Sequence, residues 1–211
     1  MRRIALSLIL AGVSLAAQAD GLQQLERFLQ EVRTARAEFT QVVTSPKRTG
    51  ESVARSKTSY GRFEFQRPGR FRFDYTRPFE QTIVADGETL WLHDVDLDQV
   101  TARRQQEALG STPAALIVSG TSLEELGRHF ELQSAGQADG LEWVQARPRQ
   151  GDGQLLQVRV GLRQGELARL EIDDSLGQRS VLSFTGWQAN VPVPSSRFRF
   201  QPPPGVAVIR P

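Results

Sequence analysis

Along the chain the apolar positions recur first with the period of a helix and then with the period of a strand. Leu22, Leu25, Leu29 and Val32 follow one another at spacings of three and four, with Phe28 beside them and Gln, Glu and Arg between. That spacing gathers the apolar side chains on one face of an amphipathic helix of about three turns. From Ala37 the period drops to two: Ala37, Phe39, Gln41 and Val43 alternate with Glu38, Thr40 and Val42. The polar, basic stretch from Ser45 to Thr58 reads as a mobile loop. Tyr60 to Tyr75 then reads as a hairpin. Phe63 and Phe65 alternate with Arg62 and Glu64, Arg67-Pro68-Gly69-Arg70 supplies the turn, and Phe71, Phe73 and Tyr75 alternate with Arg70, Arg72 and Asp74.

Asp86-Gly87 joins the next pair of strands, Gln81 to Ala85 and Thr89 to His93, and another strand covers Gln99 to Arg103. The alternation stops between Gln105 and Phe130. Thr112-Pro113 opens a short helix over Ala114 to Val118, and Ser122 with Glu125 forms a capping box that opens a second, to about His129. Strands resume at Glu131–Ser134, Leu141–Ala146, Leu155–Gly161, Ala168–Asp173 and Arg179–Thr185, and a Pro-rich end holds one more alternation, Arg197 to Phe200. There is no internal repeat and no linker. About eleven meandering antiparallel strands in one domain predict a mainly β fold with some α, built as a large curved sheet or barrel. The helices are too few to cover such a sheet from outside. Placed on its concave side they bury their own apolar faces and leave an apolar cavity beneath.

Phe63, Phe65, Phe71, Phe73 and Tyr75 share one parity of two paired strands and form a continuous aromatic face. Any one of these rings is ordinary sheet core. The opposite parity, Arg62, Glu64, Arg70, Arg72 and Asp74, is expected in water. Because those arginines point away from the rings, the segment is not a stacking platform for nucleic acid.

The first residues change the picture of where the chain works. Met1-Arg2-Arg3 is basic, Ile4 to Ala17 is apolar or small, and Ala17-Gln18-Ala19 places small residues where a signal peptidase reads. Residues 1–19 are expected to be a signal peptide cleaved before Asp20. The apolar run falls short of the roughly 20 residues that a membrane span needs. With no Cys, the chain has no disulfide and no thiol to carry a lipid. Of 26 basic residues, Arg2 and Arg3 leave with the leader, so 24 face 24 acidic ones and the mature chain is formally neutral. Net charge therefore argues for neither nucleic acid nor an anionic surface.

Catalytic signatures are missing. His93 and His129 lie far apart, and without Cys a zinc site is not expected. Asp94, Asp96 and Asp98 resemble the start of a calcium loop, but Gln99 stands where that loop needs Gly and Gln105 where it needs Glu, so they read as a solvated turn. There is no nucleophile elbow, phosphate loop or dinucleotide fingerprint. The expectation is a non-enzyme with no cofactor and no metal.

Several segments carry a resemblance. They are Phe39-Thr40-Gln41, Arg67-Pro68-Gly69-Arg70-Phe71-Arg72-Phe73, Val84-Ala85-Asp86-Gly87-Glu88-Thr89-Leu90-Trp91, the Thr112-Pro113 helix start, and Phe198-Arg199-Phe200-Gln201-Pro202-Pro203-Pro204-Gly205-Val206. In order, spacing and placement after a signal peptide, this set resembles the LolA family of periplasmic lipoprotein carriers. The resemblance implies an unclosed antiparallel β-barrel with a lid of about three short helices over a hydrophobic cavity, close to what the periodicities predict. It implies residues 20–211 as the carrier domain, acting in the periplasm as a monomer. Its partners would be acylated lipoproteins, the inner-membrane LolCDE transporter that releases them and the outer-membrane acceptor LolB. LolB is anchored through an N-terminal Cys, which this chain lacks, so the carrier is preferred to the acceptor. Arg67 would latch the lid. Phe71 and Phe73, with Phe39, Phe63, Phe65, Tyr75 and Leu90, would line the cavity. Pro113, Leu116 and Ile117 would belong to the lid helix, which Ala114 and Ala115 make less bulky than is common. A lipid- or lipoprotein-sensing module of similar fold is the alternative.

Overall fold

The computed structural model describes residues 20–47, 53–109, 122–150 and 155–211. The predicted leader, the helix over Ala114–Val118 and the lid residues Pro113, Leu116 and Ile117 lie outside them. Asp20 opens the described chain as an N-cap, its Oδ1 accepting from the Gln23 N–H at 2.9 Å. Helix α1, Gly21–Glu31, follows with Leu25, Phe28 and Leu29 buried on one face, as the three-and-four spacing predicts. Two five-residue helices, α2 at Gln105–Leu109 and α3 at Leu123–Gly127, interrupt the strands. Ser122 caps α3 by accepting from the Glu125 N–H at 3.2 Å.

Twelve strands form one sheet: β1 Thr34–Ser45, β2 Arg55–Gln66, β3 Arg70–Arg77, β4 Gln81–Ala85, β5 Thr89–Asp94, β6 Gln99–Arg104, β7 Phe130–Ala138, β8 Leu141–Pro148, β9 Leu155–Arg163, β10 Glu166–Asp174, β11 Arg179–Ala189 and β12 Ala207–Ile209. The order β12-β6-β5-β4-β3-β2-β1-β11-β10-β9-β8-β7 leaves β12 and β7 as edges, so the sheet is open. Consecutive strands are antiparallel neighbours within β1–β6 and within β7–β11, and β1 pairs β11 to join the two runs. The twelfth strand, not predicted, runs parallel to β6.

Three expectations are corrected. The connection within Ser45 to Thr58 is shorter than expected: β1 and β2 pair out to Ser45 opposite Arg55, so Ser45 and residues 55–58 belong to the ladder, and their polar composition reflects two wet faces where β2 runs past the end of β3. The alternation Arg197 to Phe200 is no strand. Ser195–Phe198 forms one turn of 3-10 helix, since the prolines at 192, 194 and 202–204 withhold the N–H donors a ladder needs.

The third correction is that the charged face of β2 and β3 is not simply wet. The C-terminal segment crosses it and sets Arg197 against Glu64 at 2.6 Å and Asp74 at 2.8 Å, beside an Arg72–Asp74 pair at 2.7 Å. Phe198 is buried there, and the Phe200 ring lies 5.5 Å from that of Trp91 and 5.8 Å from that of His93. Burial pushes the Asp74 carboxyl up, but the hydrogen bonds and charges of Arg72 and Arg197 together outweigh it and leave it below the usual carboxylate range. A carboxyl held down in the fold adds stability above its ordinary value near 3.9, and loses it as pH falls through the folded value. Below about pH 4 the C-terminal segment is therefore expected to loosen ahead of the sheet. Hydrogen exchange at Phe198 and Phe200 reads this, and amides that stay protected would leave the ion pairs without weight.

Candidate functional site: an aromatic concave wall

Strand register decides which side chains meet. Phe63 lies opposite Phe73, Phe65 opposite Phe71, Phe71 opposite Ala85 and Ala85 opposite Leu90. Phe39 lies opposite Gly61. All seven residues predicted to line a cavity thus stand on the concave face. Phe39, Phe63, Phe65, Phe71 and Phe73 are buried there, whereas Tyr75 and Leu90 are half-buried. The rings touch in a chain: Phe63 on Phe73 at 4.4 Å, Phe39 on Tyr75 at 4.9 Å and on Phe73 at 5.4 Å, Phe71 on Phe73 at 5.9 Å. Burial holds the Tyr75 phenol in its neutral form, its pKa pushed up to about 12.

Three further rings join this wall without having been predicted. Phe28 of α1 meets Phe65 at 6.2 Å, and Trp187 meets Phe28 at 5.9 Å and Phe184 at 6.2 Å. Trp187 has the wrong parity for Phe184. Gly186 adopts φ +61, and the ladder slips where Gly186 and Trp187 face Ala37, so a bulge turns the indole inward. A glycine inside a strand pattern was the available signal.

The wall has a closed end and an open end. Inward positions near α1 are buried, including Ala35, Ala37, Phe65, Phe71, Leu162 and Leu167. Further along the same strands the inward residues Val43, Tyr75 and Ile172 are only half-buried, and Lys57 is exposed. Directly beneath α1, Leu25, Phe28 and Leu29 pack into the core, and beside the helix a cleft of about 440 Å³ opens toward the β9–β10 turn and the end of β11, lined by Gln24, Phe28, Val32, Gly165 and Trp187. The free apolar surface lies toward the open end and toward β4 and β5, where Ile83, Leu90 and Leu92 are half-buried.

At the closed end two side chains tie the helices down. Arg67, 6% exposed, donates from Nε to the Val32 carbonyl just past α1 at 2.8 Å, and its guanidinium lies 5.3 Å from both the Phe28 and Phe65 rings. Burial drags its pKa down to about 10; Arg33 adds to this and Glu125 opposes it. Gln105, the first residue of α2, is also buried. Its amide N–H donates to the Gly69 carbonyl at 2.6 Å, and its Oε1 accepts from the Gly87 N–H at 2.9 Å. One side chain thereby clamps the β2–β3 and β4–β5 turns where the chain leaves for residues 110–121. No sequence pattern announced it.

A family model described as outer membrane lipoprotein carrier protein LolA matches residues 30–201. The chain belongs to the LolA family. A relative from Albidiferax ferrireducens, named outer-membrane lipoprotein carrier protein, is 57% identical and covers 92% of each chain. One of the same name from Leptothrix cholodnii is 51% identical over 98% of this chain and 93% of its own. Among solved structures, an uncharacterised conserved protein from Thermus thermophilus matches with a TM-score of 0.52 at 12% identity, over 90% of this chain and 96% of that one, a likeness of fold alone.

In this LolA-family chain Gly61 is required by the wall. A Cβ there would stand 2.2 Å from the Asp74 carbonyl oxygen and 2.7 Å from the Phe39 ring, which lies over the bare backbone. Gly61→Ala is expected to cost about 1–3 kcal/mol, because neither neighbour gives way freely. Urea unfolding measures it, and an unchanged midpoint would mean that Phe39 has room to move.

Proposed function

We propose that this chain is a periplasmic carrier: residues 1–19 direct export, and residues 20–211 take up the acyl chains of lipoproteins on the concave wall and hand them to an outer-membrane acceptor. The observation that supports this best is the change of burial along the inner face of β1, β3 and β10, where Ala35 and Phe71 are sealed near α1 while Val43, Tyr75 and Ile172 are only half-buried toward the other end. A packed core alone has no use for half-covered apolar side chains inside a sheet. No helix among the described residues is long and apolar enough to cross a membrane.

The energetics fit a carrier rather than an enzyme. An acyl chain of ~15 methylenes at about 0.8 kcal/mol each is held in a bilayer by roughly 12 kcal/mol, too much for unaided passage through water. A carrier must offer comparable apolar surface, and imperfect packing at the open end would allow release without a nucleotide. LolCDE would load the carrier and LolB would unload it. Residues Pro113, Leu116 and Ile117 would cover the cargo, with Arg67 as the latch at the end of α1 and Gln105 anchoring the start of the covering segment.

Mass spectrometry of the full chain recovered from periplasm tests the reading. An acylated protein bound in stoichiometric amount is expected. A chain that returns empty, and that refuses an acylated peptide in detergent, would overturn it.

A further inference from the structure

Exposed apolar side chains are sorted to one end of the molecule. In the meander the β1–β2, β3–β4 and β5–β6 connections lie at the open end, and pairing of β1 with β11 and of β10 with β9 brings the β10–β11 and β8–β9 connections there too. Val53, Phe79, Val95, Leu97 and Leu176 stand on these connections and Leu156 at the start of β9, three of the six about 70% exposed. The turns at the closed end, Arg67–Gly69, Asp86–Glu88, Asp139-Gly140 and Gln164-Gly165, carry no exposed large apolar side chain. Among the described residues the only other ones are Tyr60, on β2 next to this end, and Ile209 on the edge strand β12.

These tips are built to be displayed. Leu97 and Leu176 each follow an aspartate whose side chain accepts the leucine's own backbone N–H, Asp94 at 3.1 Å and Asp174 at 3.0 Å. Such turns fix the backbone and aim the leucine outward. That is the work of the first aspartate in the Asp94-Asp96-Asp98 run. On the β1–β3 side the exposed rings carry cations: Lys57 Nζ sits 4.4 Å from the Phe79 ring centre, and the Arg77 guanidinium 4.6 Å from that of Tyr60.

We propose that this rim docks the open end onto a phospholipid bilayer. Separate apolar tips on ordered turns suit the acyl boundary of a membrane, where each inserts alone. A ring with a cation beside it suits the headgroup layer, with the ring at the interface and the cation on phosphate. Net neutrality of the chain is no obstacle, because Lys47, Lys57 and Arg77 gather on one side of the rim while Asp94, Asp96 and Asp98 lie on the other. The contact sets the mouth of the wall against lipid, so that an acyl chain need not cross open water. Only this use rests on the carrier reading; the contact itself does not.

Sedimentation of the mature full chain with vesicles of phosphatidylethanolamine and phosphatidylglycerol tests it. Weak, reversible binding is expected, lowered about tenfold by Phe79→Ser and again by Leu176→Ser. Lys57→Gln should weaken it about fivefold at low salt and less at high salt. Ile209→Ser, exposed but off the rim, should bind as the unmodified chain does. Failure of the unmodified chain to sediment, or equal loss with Ile209→Ser, overturns the proposal. So does full vesicle binding by Phe79→Ser combined with lost delivery to a soluble acceptor, which makes the rim a protein contact. Vesicle binding without any uptake of acylated peptide would instead count against the carrier reading alone.

Discussion

Glutamate in place of Leu90 is expected to lower the affinity for an acyl chain about a hundredfold while the fold survives. Leu90 lines the concave face beside Ala85 and Phe71 but is half-buried, so in the empty protein a carboxylate there still reaches water. With an acyl chain lodged against it, that water is gone. The carboxylate must then be buried without a partner, or the chain must give up roughly four methylenes of contact, about 3 kcal/mol. Either cost is about two decades in binding. The same substitution at Phe71 or Phe63 would confuse the result, since both are buried inside the stack of rings and the sheet itself would fail. Titration with an apolar fluorescent probe reads the affinity, and the thermal midpoint reads the fold. Undiminished probe binding by a folded Leu90→Glu would place the cargo elsewhere.

The wall was legible in the sequence because a strand's period of two is rigid. Once Phe63, Phe65, Phe71 and Phe73 are read on one hairpin, their shared face follows without knowledge of the rest of the sheet. The helix at Leu22 to Val32 was legible for the same reason at a different period, and Asp20 confirms its start as a cap. Which end of the wall is sealed was not legible. It depends on where α1 comes to rest, set by contacts remote in sequence such as the Gln24 side chain accepting from the Gly165 N–H at 3.1 Å.

The convex face shows how polarity misleads. Glu64, Arg72 and Asp74 read as solvent-facing, yet they are the seat of the C-terminal segment, whose Arg197 is paired with two of them. A half-buried ion network and a wet surface have the same letters, and only the partner, more than a hundred residues away, tells them apart. Trp187 was hidden for a local reason, one extra residue in a bulge that reversed the parity. Gln105 was hidden because a single amide that bridges two turns leaves no periodic trace.

Removal of the Arg67 charge is expected to separate stability from function. Arg67→Leu deletes a hydrogen bond to the Val32 carbonyl and a cation packed beside two rings, which stabilise the end of α1. It also deletes the penalty for burying a guanidinium, whose depressed pKa measures how poorly that charge is solvated. A hydrogen bond of this kind contributes about 1 kcal/mol net, and apolar replacement of a buried charge is often neutral, so the stability change should stay within about 1–2 kcal/mol. Above about pH 10, up to the ordinary guanidinium range, the unfolded chain holds this proton more tightly than the folded one, so the wild-type chain gains stability as pH rises through that window. Below it the penalty is constant. The stability difference between the two forms is therefore expected to be flat from about pH 5 to 9, and a slope there would assign the effect to another group. Function should respond far more strongly. With the end of α1 untied, the empty protein should admit an apolar probe faster, and delivery of cargo to the acceptor should fall at least about tenfold, the consequence of losing about 1.4 kcal/mol of bias toward the closed, empty form. Unchanged probe access together with unchanged delivery would reduce Arg67 to a buried packing residue and remove the latch from the mechanism.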